Sequence, residues 1–207
     1  FTGSTRAGRE IAGVGAPMFK KLALEMGGKN PNIIFADANL DEAVATTLRS
    51  SFANQGQICL CGSRILVERS IYREFLGRLI VGTEALRSGD PLDEGTQQGA
   101  VVSAEHLAKI ESYVGLAVDE GGVIRCGGVR WTPPAGRCEN GFFYRPTVVT
   151  GLAPDCRVNQ EEIFGPVVTV MPFDSEAEAI AIANSVEYGL SATLWTENLK
   201  RAHRVAD

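Results

Sequence analysis

Hydrophobic and polar positions along this chain switch between two periods. Short apolar runs of strand type occur at Asn32-Ile-Ile-Phe35, Ile65-Leu66-Val67, Val123-Ile124, Val167 to Phe173 and Ser191 to Thr196. Between them apolar residues recur at helical spacing. Leu40, Ala43, Val44, Leu48 and Phe52 make one helical face, and Tyr72, Phe75, Leu76, Leu79 and Ile80 another. Asn39 with Glu42 and Ser175 with Glu178 have the spacing of capping boxes, and Ser70 is placed to cap the Tyr72 helix. Ser103 to Glu120 predicts a further helix, stopped by Gly121-Gly122.

Phe1 to Thr5 reads as the end of a strand, followed by a helix through Gly8 to Ala12 with Ser4 and Thr5 as caps. Lys20 to Glu25 alternates as a strand does, before a break at Gly27-Gly28 and Pro31. Phe142 to Tyr144 and Thr147 to Val149 read as extended, Gly127 to Gly141 as a surface loop, and Glu161 to Pro166 as a polar turn. A last helix begins near Glu197. Strands alternating with helices predict an α/β fold with a largely parallel sheet flanked by helices.

Composition narrows the class. A formal charge of −5 over 207 residues, with no basic run, argues against nucleic acid or an anionic membrane as the main partner. No apolar run approaches the roughly 18 residues that a bilayer span needs. The chain opens at Phe1, without Met, inside a strand-to-helix unit and closes at Asp207 inside a helical pattern, so it is expected to be a piece of a longer protein. Its five cysteines, Cys59, Cys61, Cys126, Cys138 and Cys156, include no C-x-x-C pair, and only two histidines accompany them. Neither a metal site nor a disulfide framework is expected, and a cytoplasmic, reducing setting fits best.

Candidate chemistry centres on Cys59. It follows a polar, glycine-broken turn, Asn54-Gln55-Gly56-Gln57, at a helix-to-strand junction, where a thiol can face a cleft. A free thiol titrates near ~8.5 and becomes a strong nucleophile where amides or charges favour its anion. The same local residues also suit a small, inert cysteine. At the other candidate, Gly3 and Ser4, a helix start exposes N–H groups that suit a phosphate, although most glycine-serine turns bind nothing.

Four motifs change these odds: F-T-G-S-T at 1–5, L-E-M-G-G-K-N-P at 24–31, F-A-N-Q-G-Q-I-C at 52–59 and E-E-I-F-G-P-V at 161–167. In this order, and with Arg145-Pro146-Thr147 and Tyr188-Gly189-Leu190, they resemble the NAD(P)-dependent aldehyde dehydrogenase superfamily along essentially the whole chain. The wording I-C-L-C-G-S-R at 58–64 is most similar to the 2-aminomuconic semialdehyde dehydrogenase branch.

The resemblance implies oxidation of an aldehyde to a carboxylic acid with NAD, NADP not being excluded. Cys59 is the implied nucleophile, forming a thiohemiacetal and then a thioester, and Glu25 the base that activates the hydrolytic water. Gly3 and Ser4 match the family's pyrophosphate contact, Glu162 its ribose carboxylate and Phe164 the ring beside the nicotinamide. His106 and Lys109 fall where the family often has a ribose-binding Gln and Lys, and the change to His leaves that contact open. Ile58 and Leu60 flank the nucleophile as candidate substrate-pocket residues, and packing is the expected role of Cys61. The implied division is residues 1–25 as the last piece of a Rossmann-like cofactor domain and 26–207 as a C-terminally truncated catalytic domain. A homodimer or homotetramer is the implied assembly. Two other readings remain: a CoA-acylating relative, which generally lacks a base like Glu25, and a non-catalytic structural protein. The second suits the isolated 207-residue piece best, which is expected to be inactive.

Overall fold

A computed structural model describes residues 1–207. It is built on a six-stranded sheet ordered β3-β4-β5-β2-β1-β6, from β1 (Pro31–Ile34), β2 (Arg64–Glu68), β3 (Val123–Cys126), β4 (Thr147–Thr150), β5 (Val167–Phe173) and β6 (Thr193–Trp195). Every pairing is parallel except β3 against β4 at one edge. The central strands β1, β2, β4 and β5 are buried almost throughout, as strands covered on both faces must be, whereas β3 alternates and sits at the rim.

Side-chain alternation divides the core. Ile34, Ile65, Val67, Val148, Val168 and Val170 point to one face. There they meet Ala43, Val44 and Phe52 of α2 (Leu40–Phe52) and Phe75 and Leu79 of α3 (Tyr72–Glu84). Ile33, Phe35, Leu66, Met171 and Phe173 point to the other face and meet Ala179 and Ile182 of α6 (Glu176–Ala183). A third cluster packs Leu107, Ile110, Val114 and Ala117 of α4 (Ala104–Asp119) over Val149 and Val167. Each fully buried side chain of this size contributes roughly 1.5–3 kcal/mol before entropy is counted. The remaining helices are α1 (Thr5–Gly15), the four-residue α5 (Arg157–Gln160) and α7 (Leu199–Ala206). No helix is long and apolar enough to cross a membrane.

Most expected caps form. Ser4, Asn39, Ser103 and Ser175 each accept a hydrogen bond from the backbone N–H three residues on. The return half of the second box is displaced, because Glu178 accepts from Asp174 N–H instead of Ser175 N–H. Ser70 does not cap α3. Ile71 takes the cap position and Ser70 lies one residue early, in the turn closed by Ile71 N–H on Glu68 O. Lys20 to Glu25 is not a strand. Only Glu25 makes a β-bridge, to Thr2, and residues 20–23 are exposed with no further strand beside them. Phe142 to Tyr144 is extended but joins no strand, making only the Arg130–Tyr144 bridge. Residues 1–25 contribute nothing to the six-stranded sheet.

At the start of β2, Arg64 is fully buried without a carboxylate partner. Its Nη1 donates to Ile182 O at 2.7 Å, its Nη2 to Ala183 O at 2.7 Å and its Nε to Lys29 O at 2.9 Å. Two of these acceptors are carbonyls of the last turn of α6, where the helix dipole favours a cation. Burial draws the guanidinium down to about 10. Arg64→Met keeps the bulk and removes all three donors. Ile182 O keeps its bonds from Ser185, but leaving Lys29 O and Ala183 O unpaired is expected to cost about 3 kcal/mol, read as a lower urea midpoint with an unchanged slope. A change below about 0.5 kcal/mol would show that the three bonds do not hold these elements together.

Candidate active site

The turn that carries Cys59 is shaped by backbone conformation. After α2 ends, with Phe52 O accepting from Gln98 Nε2 at 2.9 Å, the chain passes through Asn54, Gln55 and Gly56 at φ of 50°, 57° and 67°. Successive left-handed residues reverse the chain tightly and lead into the turn that carries Cys59. Gly56 needs its missing side chain twice over, for its φ and because a Cβ would collide with Gly165 O. The cysteine turn therefore rests directly on the Glu161–Pro166 turn. Cys61 N–H donates to Ile58 O at 3.0 Å and closes the turn.

Cys59 lines a cleft of about 560 Å³ together with Gly3, Ser4, Glu162, Phe164 and Lys109. His106 and Ile58 complete its predicted lining. Residues drawn from the first, second, fourth and fifth sixths of the chain thus meet in one cavity. Thr2, Met26, Gly27 and Gln57 also line it and were not anticipated. The glycine pair in M-G-G-K-N-P was the available signal. A Cβ on Gly27 would collide with Glu162 Oε2, and Gly28 N–H donates to Glu162 Oε1 at 3.0 Å, so the carboxylate is seated on this backbone.

The other expected residues take different positions. Leu60 is exposed and lies outside this cleft, whereas Ile58 lies within it. Glu25 is exposed and lines a second pocket of about 370 Å³ with Leu24, Glu187 and Tyr188. Met26 and Gly27 line both pockets, so the two adjoin, but Glu25 and Cys59 do not share a cavity in this conformation.

His106 and Lys109 project from the same face of α4 and spend donors on the neighbouring turn. His106 Nε2 bonds Phe164 O at 2.5 Å, and its ring meets the Phe164 ring edge-on with centroids 6.0 Å apart. Phe164 has φ of 60°, a strained setting for an aromatic residue that this bond helps to hold. Lys109 Nζ donates to Glu162 O at 2.9 Å, and burial lowers its pKa against the opposing pull of Glu162 and Glu161.

The cleft suits a nicotinamide dinucleotide on its own geometry. The N-terminus of α1, an 11-residue helix opening at Gly3 and Ser4, offers N–H groups to a pyrophosphate. The seated Glu162 carboxylate can accept from ribose hydroxyls, and the Phe164 ring supplies a flat apolar wall. Of the other thiols, burial pushes Cys61, Cys126 and Cys156 upward, which disfavours their thiolates.

The sequence profile of the aldehyde dehydrogenase family matches residues 1–207. The chain is 51% identical over 207 residues to 2-aminomuconic semialdehyde dehydrogenase of Danio rerio, covering all of this chain and 42% of that protein. It is 47% identical over 206 residues to 2-hydroxymuconic semialdehyde dehydrogenase of Pseudomonas putida, again 42% of that protein. The crystal structure of betaine aldehyde dehydrogenase from Staphylococcus aureus in complex with NAD+ superposes with a TM-score of 0.94 at 43% identity, over all of this chain and 40% of that one. The chain spans less than half the length of the curated relatives it matches.

Lys29 lies buried in the loop that seats Glu162. Desolvation and the nearby Arg64 cation lower it to about 7. The unfolded chain then binds more protons than the folded one between about pH 7 and 10.5, so this residue makes stability rise with pH across that window. Lys29→Met removes the contribution. The stability of the variant relative to the parent is expected to fall from pH 7 to pH 10, by at most about 1.4 kcal/mol per pH unit. Urea unfolding of both proteins at those two pH values checks it, and a pH-independent difference would contradict it.

Proposed function

The chain belongs to the aldehyde dehydrogenase family, and from that premise we propose that the protein oxidises an aldehyde to a carboxylic acid with NAD+, through Cys59 and Glu25. The observation that carries this reading is the single cleft in which Cys59 faces the N-terminus of α1, Glu162 and Phe164.

Cys59 Sγ, as the thiolate once its proton has passed to water, attacks the aldehyde carbon, and the C=O π pair becomes an oxyanion held by the Cys59 backbone N–H. Bound NAD+ supplies the hydride acceptor that converts the thiohemiacetal to a thioester on Cys59. Gly3 and Ser4 take the pyrophosphate, Glu162 orients the nicotinamide ribose and Phe164 walls the ring. His106 and Lys109 serve the same contacts through the carbonyls of Phe164 and Glu162. Glu25 takes a proton from the water that hydrolyses the thioester. Because Glu25 faces the adjoining pocket, this step includes a swing of its side chain past Met26 and Gly27. The names of the similar relatives support a muconic type of semialdehyde as substrate. Glu25 disfavours a CoA-acylating role, in which CoA would replace water.

Substitutions of the two residues are expected to fail at different steps. Cys59→Ala should give neither a burst of NADH nor steady turnover. Glu25→Gln should give a stoichiometric burst followed by turnover slowed roughly 10²–10⁴-fold, the loss typical of removing a general base. Stopped-flow absorbance of NADH in the full-length protein reads both. An unchanged steady rate in Glu25→Gln would remove Glu25 from the mechanism, and a burst in Cys59→Ala would remove the nucleophile.

A further inference from the structure

Asn30 takes no part in the chemistry above, yet its buried amide joins three segments far apart in sequence. Its Nδ2 donates to Cys59 O at 2.7 Å and to Cys61 O at 3.0 Å. Its Oδ1 accepts from Ser191 N–H at 3.2 Å. These partners fix the amide's orientation, because the reverse would set its oxygen against two carbonyls and its NH₂ against an N–H.

The carbonyls it grips are that of Cys59 itself and that of Cys61, two residues on. Holding Cys59 O in place fixes the peptide plane that leaves Cys59, and holding Cys61 O fixes the torsions of Leu60 and Cys61 behind it. The Cys61 N–H bond to Ile58 O closes the same turn from within. Only two reactive elements ride on this turn, the Sγ and the backbone N–H of Cys59. From this geometry we infer that Asn30 is a positioning residue for Cys59: it sets the thiol and the oxyanion-binding N–H in one fixed relation at the cleft. The inference rests on Cys59 being the nucleophile. Asn30 touches no reacting atom and acts through the backbone alone.

The distinction from a plain structural staple lies in which quantities move. Iodoacetamide needs a thiolate but no oxyanion donor, and NAD+ binding uses other residues. Acylation by an aldehyde needs both elements in register, and a misplacement of about 1 Å can cost about 10²-fold. In the full-length protein, Asn30→Ala is therefore expected to slow the NADH burst about 10- to 100-fold. The Kd for NAD+ should stay within about twofold, and Cys59 alkylation by iodoacetamide should change far less than the burst. Asn30→Asp keeps the volume and guards against a misfolded Ala variant. Its protonated carboxyl can donate to one carbonyl and its carboxylate to none, so its burst rate relative to the parent should fall as pH rises.

A folded Asn30→Ala protein that bursts within about twofold of the parent would overturn the inference, given the loss that misplacement should cause. So would equal losses in burst, NAD+ affinity and alkylation, which would mark general loosening, or an Asn30→Asp ratio that does not depend on pH. A parent protein that shows no burst and no acylation of Cys59 would instead overturn the nucleophile reading beneath it.

Discussion

The loop from Met26 to Asn30 ties the two sides of the cleft together, and a buried cation anchors it. Arg64 donates to Lys29 O within the loop and to the end of α6 behind it. So fixed, the loop presents Gly28 N–H to the Glu162 carboxylate and Asn30 Nδ2 to the carbonyls around Cys59. The Glu162 side and the Cys59 side are thus referred to one short backbone segment rather than to each other. Carbonyl partners suit a guanidinium here, since they satisfy its fork while the C-terminal dipole of α6 supplies the negative potential.

That anchoring has an electrostatic consequence. Arg64 and Lys29 lie close enough for the arginine to depress the lysine further, beyond the effect of burial. Lys109 contributes in the same direction from α4, while Glu162 opposes it. The carboxylate proposed to orient the ribose therefore lies near the buried Lys29 and the half-buried Lys109. Shape matters as well as charge, because the carboxylate occupies the space that a side chain at Gly27 would fill.

Much of the fold was legible as pattern. β5 has the bounds its apolar run suggested, and Asn39, Ser103 and Ser175 cap the helices they precede. The failures have physical causes. Lys20 to Glu25 has the strand alternation but only Thr2 to pair with, and alternation cannot supply a neighbour. α5 is four residues long, too short for a helical period to register. At the site, the local residues left Cys59 open between nucleophile and inert thiol, and only the four motifs together tipped it. Asn30 carried no sign of a site role because its partner Cys59 lies far along the chain, and the glycine pair at 27 and 28 signalled a close approach without naming Glu162 as what approaches. Glu25 was legible as a residue but not as a geometry, since one step along the backbone from Met26 puts its side chain in the neighbouring pocket.

The central claim is that substrate carbon becomes bonded to Cys59. Mapping the covalent adduct tests it most directly. The full-length protein, mixed with a muconic-type semialdehyde and NAD+ and quenched in acid during the first turnover, is digested and its cysteine peptides are weighed. The account predicts the acyl mass on the peptide carrying Cys59, and its loss in hydroxylamine, which cleaves thioesters. An acyl mass on the peptide of Cys126, Cys138 or Cys156, or one that fragmentation assigns to Cys61, would contradict it. So would steady turnover with every cysteine unmodified.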